Sequence, residues 1–205
     1  MSRDLRLGLV LAINLTMVLA LVAVGLLAHS LGVLAAGADY LGDALGAGLS
    51  LAALRLSRHG HHPRASTFAA LANSSFLLIV TLTVAAAAIH RLIAGTPSIH
   101  GAPVIVISVI AAAAMIVCAL ILGDVEGDLS MESVMLDTVA DAAAALGVAI
   151  SGTIILATGG VYWLDSLVAL VISIVVAYHA LRLMRRAQID LRGKRAAQSR
   201  PANRA

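Results

Sequence analysis

Six long apolar stretches, each about as long as a helix that crosses a membrane, make up most of this sequence. A helix rises about 1.5 Å per residue, so about 20 residues cross the roughly 30 Å of hydrocarbon in a bilayer. Polar or helix-breaking residues separate the stretches. We therefore predict an all-α integral membrane protein, a bundle of six transmembrane helices. The predicted spans are 5–27, 31–55, 67–92, 102–122, 132–157 and 162–184.

The composition also indicates a lipid environment. Hydrophobic residues make up 60% of the 205 residues and charged residues 12%, whereas soluble domains are roughly half apolar and a quarter charged. The first apolar stretch, 5–27, is longer than the roughly 7–15-residue core of a signal peptide, so we predict a retained helix. The single cysteine, Cys118, lies in an apolar run and has no partner for an intrachain disulfide.

The basic residues predict the orientation of the chain. Six spans place both termini and the loops after spans 2 and 4 on one face, which then carries thirteen of the 14 Lys and Arg residues and leaves Arg91 on the other. The positive-inside rule assigns the basic face to the cytoplasm. We therefore expect a multi-pass protein of the cell membrane with both termini cytoplasmic. The arginines lie at segment ends rather than on one polar face, so we expect no nucleic-acid partner.

The chain divides into one transmembrane domain, residues 1–186, and a basic tail, residues 187–205. The tail is polar and holds too few apolar residues to build a core. We predict a disordered cytoplasmic tail. The alternative is an anchor at the lipid surface, because basic residues are attracted to anionic headgroups.

Two spans carry aspartates four residues apart. Asp39 and Asp43 lie in span 2, and Asp137 and Asp141 lie in span 5. This spacing stacks both carboxylates of a pair on one helix face, one turn apart. An ionised aspartate at mid-bilayer costs at least about 2.5–3.5 kcal/mol, and neither span holds a Lys or Arg at a matching depth. We infer that the counter-charge is a divalent metal ion bound by the four carboxylates.

Three other interpretations of the aspartates remain open. They can face a water-filled crevice or stay protonated and hydrogen-bonded, or they can form a proton pathway without metal. A non-transporting module, such as a metal sensor or an assembly subunit, would use the same residues for binding alone. An intramembrane enzyme would need an activated nucleophile or an H-E-x-x-H arrangement, which the sequence does not show. We therefore predict that the protein is not an enzyme.

Several motifs together resemble the cation diffusion facilitator (cation efflux) family. They are the two aspartate pairs, the segment PRASTFAALANS at 63–74, DLSM at 128–131 and YWLDSL at 162–167. The resemblance runs over residues 5–186. It implies a six-helix metal exporter whose transmembrane metal site falls on the four aspartates, and a homodimer. Many zinc-transporting members have histidine first in one or both pairs, whereas this chain has aspartate throughout, and we expect it to lack the family's usual cytoplasmic C-terminal domain.

The resemblance and the four aspartates together predict metal efflux by alternating access. Metal and protons compete for the same carboxylate oxygens, so we expect proton-coupled antiport. Zinc is the first candidate, and manganese or iron follow because oxygen ligands favour harder ions; cadmium is a further candidate. The expected partners are the transported ion, protons, membrane lipid and a second copy of the chain. No resident cofactor is expected.

Polar residues other than the four aspartates give weaker indications of function. His59, His61 and His62 lie in the loop after span 2, where a solvated turn and an accessory metal site both remain open. Asp165 lies near the start of span 6, where we predict a helix cap rather than a metal ligand. Asn14, Asn73, Ser74 and Ser75 lie inside apolar spans, so we expect hydrogen bonds between helices, with Asn14 also a candidate for the metal route.

Overall fold

The computed structural model describes residues 3–57, 63–122 and 130–198, with side chains described for 5–46, 48, 49, 52, 71–121 and 141–189. Within these ranges the chain forms six helices, and each coincides with one predicted span. The all-α membrane bundle is therefore confirmed. The helices are α1 Arg3–Leu27, α2 Leu31–Ser57, α3 Pro63–Ala94, α4 Gly101–Leu122, α5 Ser130–Thr158 and α6 Trp163–Gln198.

The outside of the bundle is apolar, as a bilayer requires. Five helices contain a described stretch that is long and apolar enough to cross a membrane. Leu19 is 73% exposed, Ile93 83% and Leu120 73%, which is compatible with lipid contact and unfavourable in water. The chain is a multi-pass membrane protein. The five stretches are Leu5–Leu27, Leu71–Ala94, Gly101–Ile121, Asp141–Thr158 and Trp163–Ile189.

The remaining helix, α2, occupies the centre of the bundle. Its 27 residues extend about 40 Å, more than enough to cross a bilayer. α2 contacts each of the other five helices, and most described residues in its first half are buried. A helix surrounded by protein need not be uniformly apolar. This position explains how α2 accommodates Asp39 and Asp43 at membrane depth.

Hydrogen bonds connect two turns, α1–α2 and α3–α4, at one end of the bundle, which we call the turn end. His100 N donates to the carbonyl oxygen of Ala28 at 3.2 Å, and Arg91 Nη1 donates to the carbonyl oxygen of His29 at 2.7 Å. These bonds link the α1–α2 turn to the end of α3 and to the loop before α4. The opposite end, at which α1 begins and α6 finishes, is the termini end.

Asp165 completes the turn end from α6. Its buried carboxylate accepts hydrogen bonds from Ser30 Oγ at 2.5 Å, from Leu31 N at 2.7 Å and from Gly32 N at 3.3 Å. These groups lie at the N-terminus of α2, where backbone N–H groups have no partner within the helix. The predicted capping role is confirmed, but the capped helix is α2 rather than Asp165's own helix.

Helix α6 is longer than the sequence suggested. It continues to Gln198, so residues 187–198, predicted to belong to a disordered tail, are helical. The correction has a physical reason. Ala, Leu, Arg, Lys and Gln are among the best helix formers, and adding turns to an existing helix avoids the cost of nucleation. Residues 199–205 lie outside the described part of the chain.

Candidate metal site

A cavity of about 270 Å³ lies between α2, α3, α5 and α6 and brings together members of both aspartate pairs. Asp39 and Asp43 line it from α2, and Asp141 lines it from α5. Each of the three residues is partly buried. The structure therefore places three of the four predicted ligands around one space. The side chain of Asp137, the fourth, lies outside the described residues.

The aspartates surround a space rather than a closed coordination site. Among the side chains that the structure describes, no three His, Cys, Asp or Glu residues come close enough to hold one metal ion. Metal–oxygen bonds to carboxylates are about 2.0–2.2 Å long for zinc. Binding by all four residues would therefore require α2 and α5 to draw closer, or side chains to rotate into the cavity. Metal ligation by Asp39, Asp43, Asp137 and Asp141 stays a prediction.

Asn73 adds a neutral oxygen to the cavity from α3. It lines the same space, and its Oδ1 atom is buried with no hydrogen-bond partner among the described residues. The prediction that Asn73 is hydrogen-bonded to another helix is therefore wrong for this oxygen. An amide oxygen is an acceptable ligand for hard divalent cations.

Sequence reasoning missed His179 on α6. His179, Arg182 and Arg186 line the cavity together with Val176 and Leu183, at the spacings of one helix face. An ionisable residue within an apolar span is a signal that could have identified His179. From Val176 to Arg186 the helix advances about 15 Å towards the termini end. The cavity therefore extends from the middle of the bundle to the termini end.

A second cavity of about 470 Å³ adjoins the aspartates on the side of α5 and α6. Asp39 and Asp141 line it too, but its other lining residues are apolar or glycine, among them Leu167, Val171 and Ile172. Asp39 and Asp141 thus lie where a polar space meets an apolar one.

Two buried polar residues fix helices beside the aspartates. Tyr40, next to Asp39, is buried and donates its hydroxyl hydrogen to the carbonyl oxygen of Ala111 on α4. Asn14 Oδ1 on α1 accepts a hydrogen bond from Cys118 Sγ on α4 at 3.8 Å. The predicted contact between helices is confirmed for Asn14. Asn14 is not among the described residues that line either cavity, so the structure does not support its place on a metal route.

Three further predicted candidates, His59, His61 and His62, lie outside the described residues. Both interpretations of the histidine loop therefore stay open.

Comparison with known proteins shows which family the chain belongs to. Residues 7–191 match the model of the cation efflux transmembrane domain. The chain belongs to the cation efflux family. This membership confirms the resemblance carried by the aspartate pairs and the three shorter motifs. The cation efflux family is a family of transporters, which agrees with the prediction that the chain is not an enzyme.

Two curated relatives of this cation efflux protein bear the same name. Zinc transporter ZitB of Yersinia pseudotuberculosis serotype I (strain IP32953) is 27% identical over 172 residues, and so is zinc transporter ZitB of Yersinia pestis. Each alignment covers 78% of this chain and 54% of the relative. The chain thus spans about half the length of these relatives.

Proposed function

We propose that this cation efflux protein carries a divalent metal ion across the membrane through the cavity between α2 and α5, with Asp39, Asp43, Asp137 and Asp141 as its ligands. One observation carries the proposal: aspartates from both i, i+4 pairs line one cavity at the centre of a membrane bundle. Carboxylate oxygens are ligands of divalent cations such as Zn²⁺ and Mn²⁺, so an ion in this cavity would meet ligands from both helices.

Zinc is the first candidate for the transported ion. The matched relatives are named zinc transporters, and carboxylates are established zinc ligands. Manganese or iron come next, since the proposed set contains oxygen ligands and no imidazole. The same cavity contains the amide oxygen of Asn73, which suits harder ions, and the imidazole of His179, which suits zinc.

The direction we propose is efflux from the cytoplasm in exchange for protons. The termini end carries nearly all of the basic residues, so we assign it to the cytoplasm and place the protein in the cell membrane. The cavity extends to that end, so the described conformation would receive an ion from the cytoplasm. Protons that arrive from outside would compete for the same carboxylates and release the metal. A homodimer is proposed from the family resemblance.

Flux into proteoliposomes tests the proposal. The chain is reconstituted, and uptake of Zn²⁺, Mn²⁺, Fe²⁺ and Cd²⁺ is followed with and without an imposed pH gradient. We expect uptake of at least one ion, fastest for zinc, with a rate that rises when the gradient drives protons the opposite way. Uptake indifferent to the gradient would refute the coupling. Metal binding without uptake of any ion would refute transport and favour a sensor or an assembly subunit.

A further inference from the structure

Two exposed histidines face each other at the turn end, away from the aspartate cavity. His29 lies in the α1–α2 turn, and His100 immediately precedes α4. Their ring centroids are 6.4 Å apart, and the ring planes are inclined by 35°. The hydrogen bond from His100 N to the carbonyl oxygen of Ala28 ties the two backbone segments together. The pair is therefore built into the turn rather than brought together by flexible loops.

His29 holds an unusual backbone conformation. Its φ angle is 58°, in the left-handed region that side chains other than glycine rarely adopt. Ser30 N donates to the carbonyl oxygen of Gly25, and His29 N donates to that of Leu26. These two bonds form the Schellman motif that ends α1, with His29 at the position where glycine is most common. The chain thus has a histidine at a position where glycine is most common. A function of the imidazole would explain why histidine is kept there.

The separation of the rings suits a shared metal ion. Each metal–nitrogen bond is about 2.0–2.1 Å long, so the centroids of two imidazoles on one ion lie about 5 Å apart at a tetrahedral angle and about 6.5 Å apart when the rings are on opposite sides of the ion. The observed 6.4 Å matches opposite rings, which square-planar Cu²⁺ and Ni²⁺ accept, whereas tetrahedral Zn²⁺ would require the rings to move about 1 Å closer. Both side chains are exposed, so ring rotation and a coordinated water can complete the geometry.

We propose that His29 and His100 form a second metal site, for a divalent transition ion that accepts imidazole, such as Zn²⁺, Ni²⁺ or Cu²⁺. No third His, Cys, Asp or Glu joins them among the described side chains, and the nearby Arg91 guanidinium is itself positive. The site therefore binds weakly and exchanges its ion with solvent. Under the proposed orientation, on which this last point rests, it faces the outside, where a released ion would meet it.

A binding measurement in a background without the other candidate sites tests the proposal. The background is tag-free protein in detergent with Asp39, Asp43, Asp137 and Asp141 changed to Asn and all three of His59, His61 and His62 changed to Gln. We expect calorimetry to show one Ni²⁺ per chain, and electron paramagnetic resonance of bound Cu²⁺ to show two imidazole nitrogens. Because the cavity aspartates are already disabled, the result does not depend on the proposed transport function.

Single substitutions in that background test whether the histidine pair, and not a neighbouring residue, binds the ion. His29→Gly and His100→Gln should each abolish the bound ion, whereas His90→Gln, at the exposed end of α3, should leave it in place. His29→Gly suits the left-handed backbone, so its melting temperature should stay equal or rise, and misfolding cannot account for lost binding. No bound ion in the background, or an ion that survives both pair variants, would overturn the proposal.

Discussion

At the scale of single residues, aspartate at membrane depth takes two different roles in this bundle. Asp165 is fully buried, and its carboxylate is occupied by hydrogen bonds from Ser30 and the backbone at the start of α2. Asp39 and Asp141 line the cavity between α2 and α5. Spacing along the chain predicted the cavity aspartates. The helix that Asp165 caps could not be predicted, because the donors lie more than a hundred residues away in sequence and meet it only in the folded bundle.

The capping role predicts that removing the Asp165 carboxylate destabilises the bundle. Asp165→Ala leaves the Ser30 hydroxyl and two backbone N–H groups without their acceptor, so we expect it to lower the free energy of unfolding by about 1–3 kcal/mol. Thermal unfolding in detergent measures this loss. Equal melting temperatures for Asp165→Ala and the native chain would contradict the capping account.

Asn73 offers a sharper contrast between stability and function. Its buried Oδ1 has no partner within the described part of the chain, so Asn73→Leu should raise the melting temperature. If that oxygen serves the transported ion, the same variant should slow metal uptake. Asn14→Leu is the matched control. Asn14 is hydrogen-bonded to Cys118 and should lose stability on substitution. A lower melting temperature for Asn73→Leu would show that its amide is satisfied after all.

At the scale of elements, the spans followed from the length of the apolar runs, and each predicted span coincides with an observed helix. The sequence did not predict the last third of α6, residues 187–198. The polar composition of this segment suggested disorder, but the high helix propensity of its residues extends α6 to Gln198. The cavity residue His179 was missed for a different reason. It is an ionisable residue in an apolar span, but only the packing of the bundle shows that its face of α6 turns towards α2 and α3.

Tight packing between α4 and α5 depends on glycine. A Cβ atom at Gly152 would lie 2.8 Å from Val104 Cγ1, and the branched valine has little freedom to move aside. We expect Gly152→Ala to lower the free energy of unfolding by about 1–3 kcal/mol. Gly8→Ala is the control, since a Cβ there meets nothing within 4 Å and alanine is the better helix former. A chemical denaturation series compares the two. Equal effects of both variants would contradict close packing at Gly152.

At the scale of the whole molecule, the two ends of the bundle differ. The turn end is closed by bonds that Arg91, His100 and Asp165 make to the α1–α2 turn. At the other end, the cavity that begins at the aspartates reaches Arg186. The described conformation is therefore open towards the termini. Release of an ion at the turn end would require these bonds, or the contacts of α2 with its neighbours, to rearrange. Alternating access needs a second arrangement of this kind.

The most direct test of the account is the initial rate of Zn²⁺ uptake by Asp43→Asn and Asp141→Asn at matched reconstitution. Thr83→Val, on the exposed surface of α3, serves as the control. Both aspartate variants should lose about tenfold or more in rate, since even residues that only support a metal ligand change affinity by about 10–100-fold. Thr83→Val should match the native rate. Native rates in both aspartate variants would contradict the account and place the route of the ion elsewhere in the bundle.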